Sequence, residues 1–255
     1  MAELADARDL KSLGENIPVP VRFRSRAHMN RFHSENFLSF ILDNRVVGFF
    51  DKPITLKSGR TSHWYVNWRT VSSDVFLIDK LSDFLIDFVS DLRLSHDGFF
   101  GVPEGATKLA VLSAYKWARL QKNFKEGSHT LAMGRGKPKE HGSPKDRYFV
   151  GEPHGNVILV EDVTTTGGSL LETIDHIRAA GASIVAAVGL TNRMELDNNK
   201  KSVADAISEK GVTYYAMSEA TKILPEAIRR FNPSDEIVAA IKNEFEKYGV
   251  ESLSF

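Results

Sequence analysis

Four apolar residues, two carboxylates and a run of threonine, glycine and serine follow one another in VILVEDVTTTGGS, Val157–Ser169. No other stretch constrains the fold as tightly. A short apolar run reads as a buried strand, and in a parallel sheet ligands bind outside the carboxyl ends of the strands, ahead of the next helix. Thr164, Thr165, Thr166, Gly167, Gly168 and Ser169 then offer hydroxyls and unobstructed backbone N–H groups at a helix N-terminus, which is an anion cradle. Neither GxxxxGK[ST] nor GxGxxG occurs, so this is neither a nucleotide P-loop nor a dinucleotide fingerprint. Carboxylates directly before a phosphate cradle repel a polyphosphate unless they face hydroxyls or a metal. A sugar bearing a phosphate fits that order, with Glu161 and Asp162 on ribose hydroxyls and the Thr/Gly loop on the phosphate.

The flanking sequence supplies the rest of such a sheet. Ser34 is a candidate N-cap for an amphipathic helix carrying Phe37, Phe40, Ile41 and Leu42, and two β-prone runs around Ser58-Gly59-Arg60 read as a hairpin. Asp74 to Leu94 has the apolar spacing of a long helix. GFFGV, HTLAM, VILV, ASIVAAVGL and VTYYAM read as strands, with helices over Ala106 to Leu120, Ser169 to Ala180 and from Asn198, and the end from Ser218 helical. Strands alternating with helices of this length indicate crossover units and a parallel sheet, hence an α/β fold. Between Met133 and Tyr148 the segment GRGKPKEHGSPKDR follows neither period and is dense in Gly, Pro, Lys and Arg. A long irregular segment inside a compact domain is commonly a functional loop, and this one has the charge of a catalytic lid.

Composition narrows the function classes. Lys+Arg 33 balances Asp+Glu 33, so no bulk positive field is present to hold nucleic acid or an anionic membrane. Cysteine is absent, which removes disulfide scaffolds, thiolate zinc sites and cysteine nucleophiles. No apolar run has the length of a bilayer span and the N-terminus lacks a signal-peptide core, so a cytoplasmic location is expected. Residues 1–33, with Arg22, Arg24, Arg26 and Arg31, read as an extended arm of unassigned role.

The window Val157–Ser169 resembles the phosphoribosyl-diphosphate (PRPP) motif of the type I phosphoribosyltransferases. Thr55–Asn67 (TLKSGRTSHWYVN), Gly101–Ala110 (GVPEGATKLA), Arg135–Gly142 (RGKPKEHG) and, more weakly, Leu190–Glu195 (LTNRME) narrow the resemblance to the orotate phosphoribosyltransferases over roughly residues 35 to 230. It implies a central, mostly parallel sheet flanked by helices, a small N-terminal hood and a mobile catalytic loop. The domain would run from 34 to 255, with a hood over 34–70, a core over 71–232 and a C-terminal helix over 233–248. The implied reaction is magnesium-dependent transfer of ribose 5-phosphate from PRPP to orotate in pyrimidine synthesis, giving orotidine 5′-monophosphate and pyrophosphate.

The same resemblance distributes roles. Lys57, Lys139, His141 and Asp162 would be catalytic. Arg135, Lys137, Lys139, His141, Glu161, Asp162 and the cradle Thr164 to Ser169 would bind PRPP, with Lys139 and His141 in the family's Lys-x-His-Gly signature. Lys57, Tyr65, Val66, Thr165 and Arg193 would bind orotate. Magnesium would be held mainly through PRPP and water rather than by the protein alone, and the 134–147 loop would close over the neighbouring site of a homodimer. Three departures stand out: Gly136 follows Arg135 where the family often has a second cation, leaving Lys137 as a substitute. Asn192 precedes Arg193 where many members have Asp, implying weaker support for that arginine. Glu104 stands where bacterial relatives commonly have a cation or an aromatic residue. Other readings are a type I transferase for another base and a non-catalytic PRPP-sensing regulator.

Overall fold

The computed structural model describes residues 31–141 and 147–254. The arm up to residue 30, with Arg22, Arg24 and Arg26, and the loop tip from Gly142 to Asp146 lie outside the described residues. Helix α1 (Ser34–Asp43) leads into the antiparallel hairpin of β1 (Val47–Thr55) and β2 (Thr61–Val66), followed by a short α2 (Arg69–Ser73) and a long α3 (Val75–Asp91). Strand and helix then alternate as β3 (Gly98–Gly101), α4 (Thr107–Arg119), the two-residue strands β4 (Met133–Gly134) and β5 (Phe149–Val150), β6 (Asn156–Thr164), α5 (Gly168–Ala179), β7 (Ser183–Asn192), α6 (Val203–Ser208) and β8 (Thr213–Ala216), before α7 (Ala220–Phe231) and α8 (Asp235–Tyr248).

Strands β3, β6, β7 and β8 form the central sheet in that order, each neighbour parallel. Both faces are covered, as a parallel sheet with crossover helices requires. Successive strand residues point to opposite faces. Phe99, Ile158, Val160, Ala186 and Val188 therefore enter one core with Phe37, Trp64, Leu81, Leu85 and Ile241. Their neighbours Phe100, Val157, Leu159 and Ala187 enter the other, with Leu170, Ile174 and Ile177 of α5 and Val203 and Ile207 of α6. The apolar faces of α1, β2, α3 and α8 share the first of these clusters, and Phe37 stacks on Trp68 at 5.6 Å.

Three local expectations are corrected. His33, not Ser34, occupies the N-cap of α1, and no side chain caps that end. HTLAM contributes only Met133 to a strand; β4 pairs antiparallel with β5 and adds nothing to the central sheet, while His129 packs edge-on against Trp117. The helix expected from Asn198 begins at Val203, because the Asp197 carboxylate accepts from the N–H groups of Asn199 and Lys201 and closes a turn there. A capping box between Ser202 and Asp205 then starts α6.

Candidate active site

The sequence order of the acids and the Thr/Gly run becomes a concave site because β6 ends where α5 begins. Gly167 caps α5 at φ 78°, a left-handed conformation that side-chain-bearing residues rarely adopt, and no side chain caps the N-terminus of the helix. Its first-turn N–H groups thus remain open towards a cleft of about 560 Å³. A groove of similar size, about 590 Å³, runs between α1 and α3 but holds none of the expected site residues. The chemistry lies in the first.

Lys57, Tyr65, Val66, Glu161, Asp162, Thr165, Thr166, Gly167, Gly168, Ser169 and Arg193 all line this cleft. Lys57 comes from the hairpin turn, where Gly59 donates to the Leu56 carbonyl at φ 81°, and its Nζ donates to Ser169 Oγ at 2.9 Å. That bond ties the hairpin to the first turn of α5. Glu161 is buried, its Oε2 has no hydrogen-bond partner, and its pKa is pushed up to about 8, first by burial and then by the Asp162 charge, against the pull of Lys57 and Ser169. Burial raises the Asp162 pKa as well, opposed by backbone N–H groups and by the charges of Arg69 and Lys57.

Arg193 is 1% exposed, yet it lines the cleft. Its Nε donates to Glu195 Oε1 at 2.8 Å, Nη2 to Ser62 Oγ at 3.0 Å and Nη1 to the Trp64 carbonyl at 3.4 Å, with the charge 3.8 Å from the Trp64 ring centroid. Asn192 takes no part in this grip. Its Oδ1 accepts from the Met194 N–H at 2.9 Å and holds the turn. The expectation that Asn192 leaves Arg193 poorly supported is corrected, since Glu195 and Ser62 do the holding.

The loop is a paired ribbon at its base. Arg135 N donates to the Tyr148 carbonyl at 2.8 Å and Lys139 N to the Arg147 carbonyl at 2.9 Å, extending the ladder of β4 and β5. Arg135 reaches a side cavity of about 130 Å³ shared with Lys57, Ser169 and Glu172 of the same chain, and its Nε donates to the Phe149 carbonyl. Lys137, Lys139 and His141 are exposed and line neither the cleft nor this side cavity. The two departures at 104 and 136 are neighbours: a Cβ at Gly136 would overlap the Glu104 carboxylate.

A family profile for the phosphoribosyl transferase domain matches residues 115–215. The orotate phosphoribosyltransferase of Agathobacter rectalis is 31% identical over 232 residues, covering 87% of this chain and 99% of that one. The chain belongs to the orotate phosphoribosyltransferase family. Its fold is the type I phosphoribosyltransferase fold: the solved orotate phosphoribosyltransferase of Francisella tularensis superposes with a TM-score of 0.61 at 23% identity, over 84% of this chain and 99% of that one. The Mycobacterium tuberculosis H37Rv enzyme, solved in complex with PRPP, gives a TM-score of 0.52 at 18% identity, over 75% of this chain and 99% of that one.

One residue of the expected cradle stands apart from the others. Thr164 does not line the cleft. It is buried, and its hydroxyl lies 2.6 Å from Tyr214 Oη in the second cluster, on the side of the sheet away from Val163, which packs against the first. Conversely, Arg69, Glu104 and Gly105 line the cleft without having been singled out as site residues. Arg69 opens α2, and its exposed guanidinium lowers the Asp162 pKa. No local pattern marks it, since a single arginine after a hairpin is ordinarily solvated.

The state of Glu161 has a measurable signature. Between the ordinary value of 4.5 and about 8 the folded chain holds a proton that the unfolded chain has released, so stability falls as pH rises through that window and levels off above it. Glu161→Gln cannot titrate and escapes the fall. Its Tm relative to the unaltered protein should be higher at pH 8.5 than at pH 5 by roughly ten degrees, given ~1.4 kcal/mol per pH unit of the window and ~2–4 °C per kcal/mol. A pH-independent offset cancels in that difference, and an equal Tm gap at both pH values would show that Glu161 is ionised throughout.

Proposed function

We propose that this protein is an orotate phosphoribosyltransferase of pyrimidine synthesis, transferring ribose 5-phosphate from PRPP to N1 of orotate. The observation that carries this reading is the convergence, in one cleft, of an acid pair, an uncapped helix N-terminus and the two cations Lys57 and Arg193. In the reaction the C1–O bond breaks with its electron pair leaving on pyrophosphate, the N1–C1 bond forms, and the proton that N1 gives up passes to pyrophosphate or water. Positive charge grows on the ribose and negative charge on the leaving group, and the site must answer both.

Thr165 to Ser169 would receive the 5-phosphate, and Glu161 and Asp162 the ribose hydroxyls. Two N–H groups of Arg193 remain free of the bonds above, since a guanidinium has five donors, and these would face the orotate carboxylate. Lys57 would serve orotate and diphosphate together, with Tyr65, Val66 and Thr165 along the base. Lys139 and His141, with Arg135 and Lys137, would close over the diphosphate and exclude water from the activated ribosyl centre. Among the described residues no group of three or more carboxylates or histidines forms a metal cage, while Glu161 and Asp162 supply acids beside the cradle. Such a donor set suits magnesium carried on PRPP and water, where the ion would neutralise diphosphate charge.

The chain would act as a homodimer whose 134–147 loop serves the neighbouring site, and in the cytoplasm; no described helix is long and apolar enough to cross a membrane. The decisive measurement is turnover with PRPP, magnesium and, in separate reactions, orotate, uracil, hypoxanthine, adenine or xanthine. Turnover with orotate alone is expected, because uracil lacks the carboxylate. Comparable rates with another base would reassign the substrate, and PRPP binding without turnover of any base would favour a regulator.

A further inference from the structure

The C-terminal helix reaches the base pocket through one hydroxyl. Ser62 on β2 is 1% exposed. Its Oγ lies 2.8 Å from Glu244 Oε2 on α8, 2.9 Å from the Trp64 carbonyl oxygen, 3.0 Å from Arg193 Nη2 and 3.3 Å from the Trp64 backbone N. A hydroxyl has one hydrogen and two lone pairs, so only three of these four contacts are satisfied at once. Arg193 and the Trp64 N–H can only donate, and they take the lone pairs. The single hydrogen then goes to the charged carboxylate in preference to the neutral carbonyl, because the ionised acceptor is the stronger one.

Glu244 is itself fixed. Its Oε1 accepts from the His63 backbone N–H at 2.7 Å and lies 3.0 Å from His63 Nδ1. On the far side of the guanidinium, Glu195 holds Arg193 Nε and is gripped in turn by Arg60 at 3.0 Å, which also donates to the Leu196 carbonyl at 2.7 Å. Arg193 is therefore clamped between a β7-side carboxylate and a serine whose lone pairs are aimed by α8.

We propose that Glu244 is a positioning residue for the base site: through Ser62 it sets the orientation of the Arg193 guanidinium and so tunes recognition of the base carboxylate, with no part in binding PRPP. This rests on the orotate reading above. Glu244 and Ser62 line neither the cleft nor the side cavity next to the loop, so their influence on the substrate passes through Arg193.

Glu244→Gln tests it at constant size. If the amide turns its NH2 to Ser62, three donors compete for two lone pairs, and the lone pair that orients Arg193 is contested. If it turns its oxygen to Ser62, its NH2 meets the His63 N–H donor to donor. Either outcome loosens the clamp. The KM for orotate should rise roughly ten-fold or more, the scale of one hydrogen bond to a charged group. The KM for PRPP and kcat at saturating orotate should stay within about two-fold, the split expected when ground-state binding of one substrate is lost.

Ser62→Ala should raise the orotate KM similarly, and the double variant should rise no further than the larger single effect, because the two residues act in series. A general loss of structure would instead move both KM values together. An unchanged orotate KM in folded Glu244→Gln, parallel rises for orotate and PRPP, or fully additive effects in the double variant would each overturn the proposal. Should Glu244→Gln fail to fold, Ser62→Ala decides alone by the same two KM values. Absence of orotate turnover by the unaltered protein would overturn the enzyme reading and this inference with it, whereas normal turnover with an unaltered orotate KM in the variant removes this inference only.

Discussion

Replacing Lys139 by alanine is expected to lower kcat by roughly two orders of magnitude or more, the cost of removing one charge-stabilising donor from a transition state, while PRPP affinity changes only a few-fold. The reason lies in when the charge appears. Negative charge accumulates on the departing pyrophosphate as the C1–O bond breaks, and an interaction made only then lowers kcat rather than ground-state binding. Lys139 is suited to act late. Its backbone is held in the ribbon by the Arg147 carbonyl, but its side chain is exposed and lines neither cavity of its own chain. Single-turnover rates beside PRPP titration make the comparison; equal turnover in Lys139→Ala would mean that the loop is not a lid.

The same variant reports on assembly. Lys139→Ala mixed with Asp162→Asn, both crippled alone, should recover about a quarter of the unaltered activity under random exchange, because each mixed dimer contains one site with both residues intact. That arithmetic requires the loop to serve the partner. Arg135, nearer the base, shares a cavity with Lys57 and Ser169 of its own chain, so any exchange between subunits concerns the residues further along the ribbon. With subunit exchange confirmed by a tagged copy, activity that stays at the level of the separate variants would place Lys139 in its own subunit's site.

Gly105→Ala should also lose on the order of a hundred-fold in kcat/KM for PRPP, with a Tm close to that of the unaltered protein. A Cβ at Gly105 would overlap the Asp162 carboxylate, and the atoms that must yield belong to a side chain rather than to the backbone. The fold therefore survives while Asp162 is pushed from its place, and a misplacement of ~1 Å at a reacting centre costs ~10²-fold. Gly98→Ala is the matched control, since a Cβ there meets nothing within 4 Å. Equal activity in the two variants would mean that Asp162 has room to move without consequence.

What the sequence determined by itself is the part of the protein governed by local rules. Alternation of apolar runs and helical spacing specified the parallel sheet, because each strand buried on both faces must be apolar throughout. The order of acids, threonines and glycines specified the cradle, because the turn from β6 into α5 needs a left-handed residue at Gly167 and leaves its N–H groups open. Lys57 and Arg193 were legible through the family segments that carry them, and both line the cleft. Tertiary structure decided what depends on residues far apart in the chain. Thr164 faces Tyr214 across |i−j| = 50, Arg193 is held by Ser62 across 131, and Ser62 by Glu244 across 182. Gly136 and Glu104 are separate departures in the sequence and become neighbours only when the loop packs, where a Cβ at Gly136 would overlap the Glu104 carboxylate. Hydrophobic period and turn chemistry act over a few residues, so they specify elements and their ends. Which buried donor meets which acceptor is chosen when those elements pack, because an unpaired buried polar group is costly and the chain settles where the most of them are satisfied.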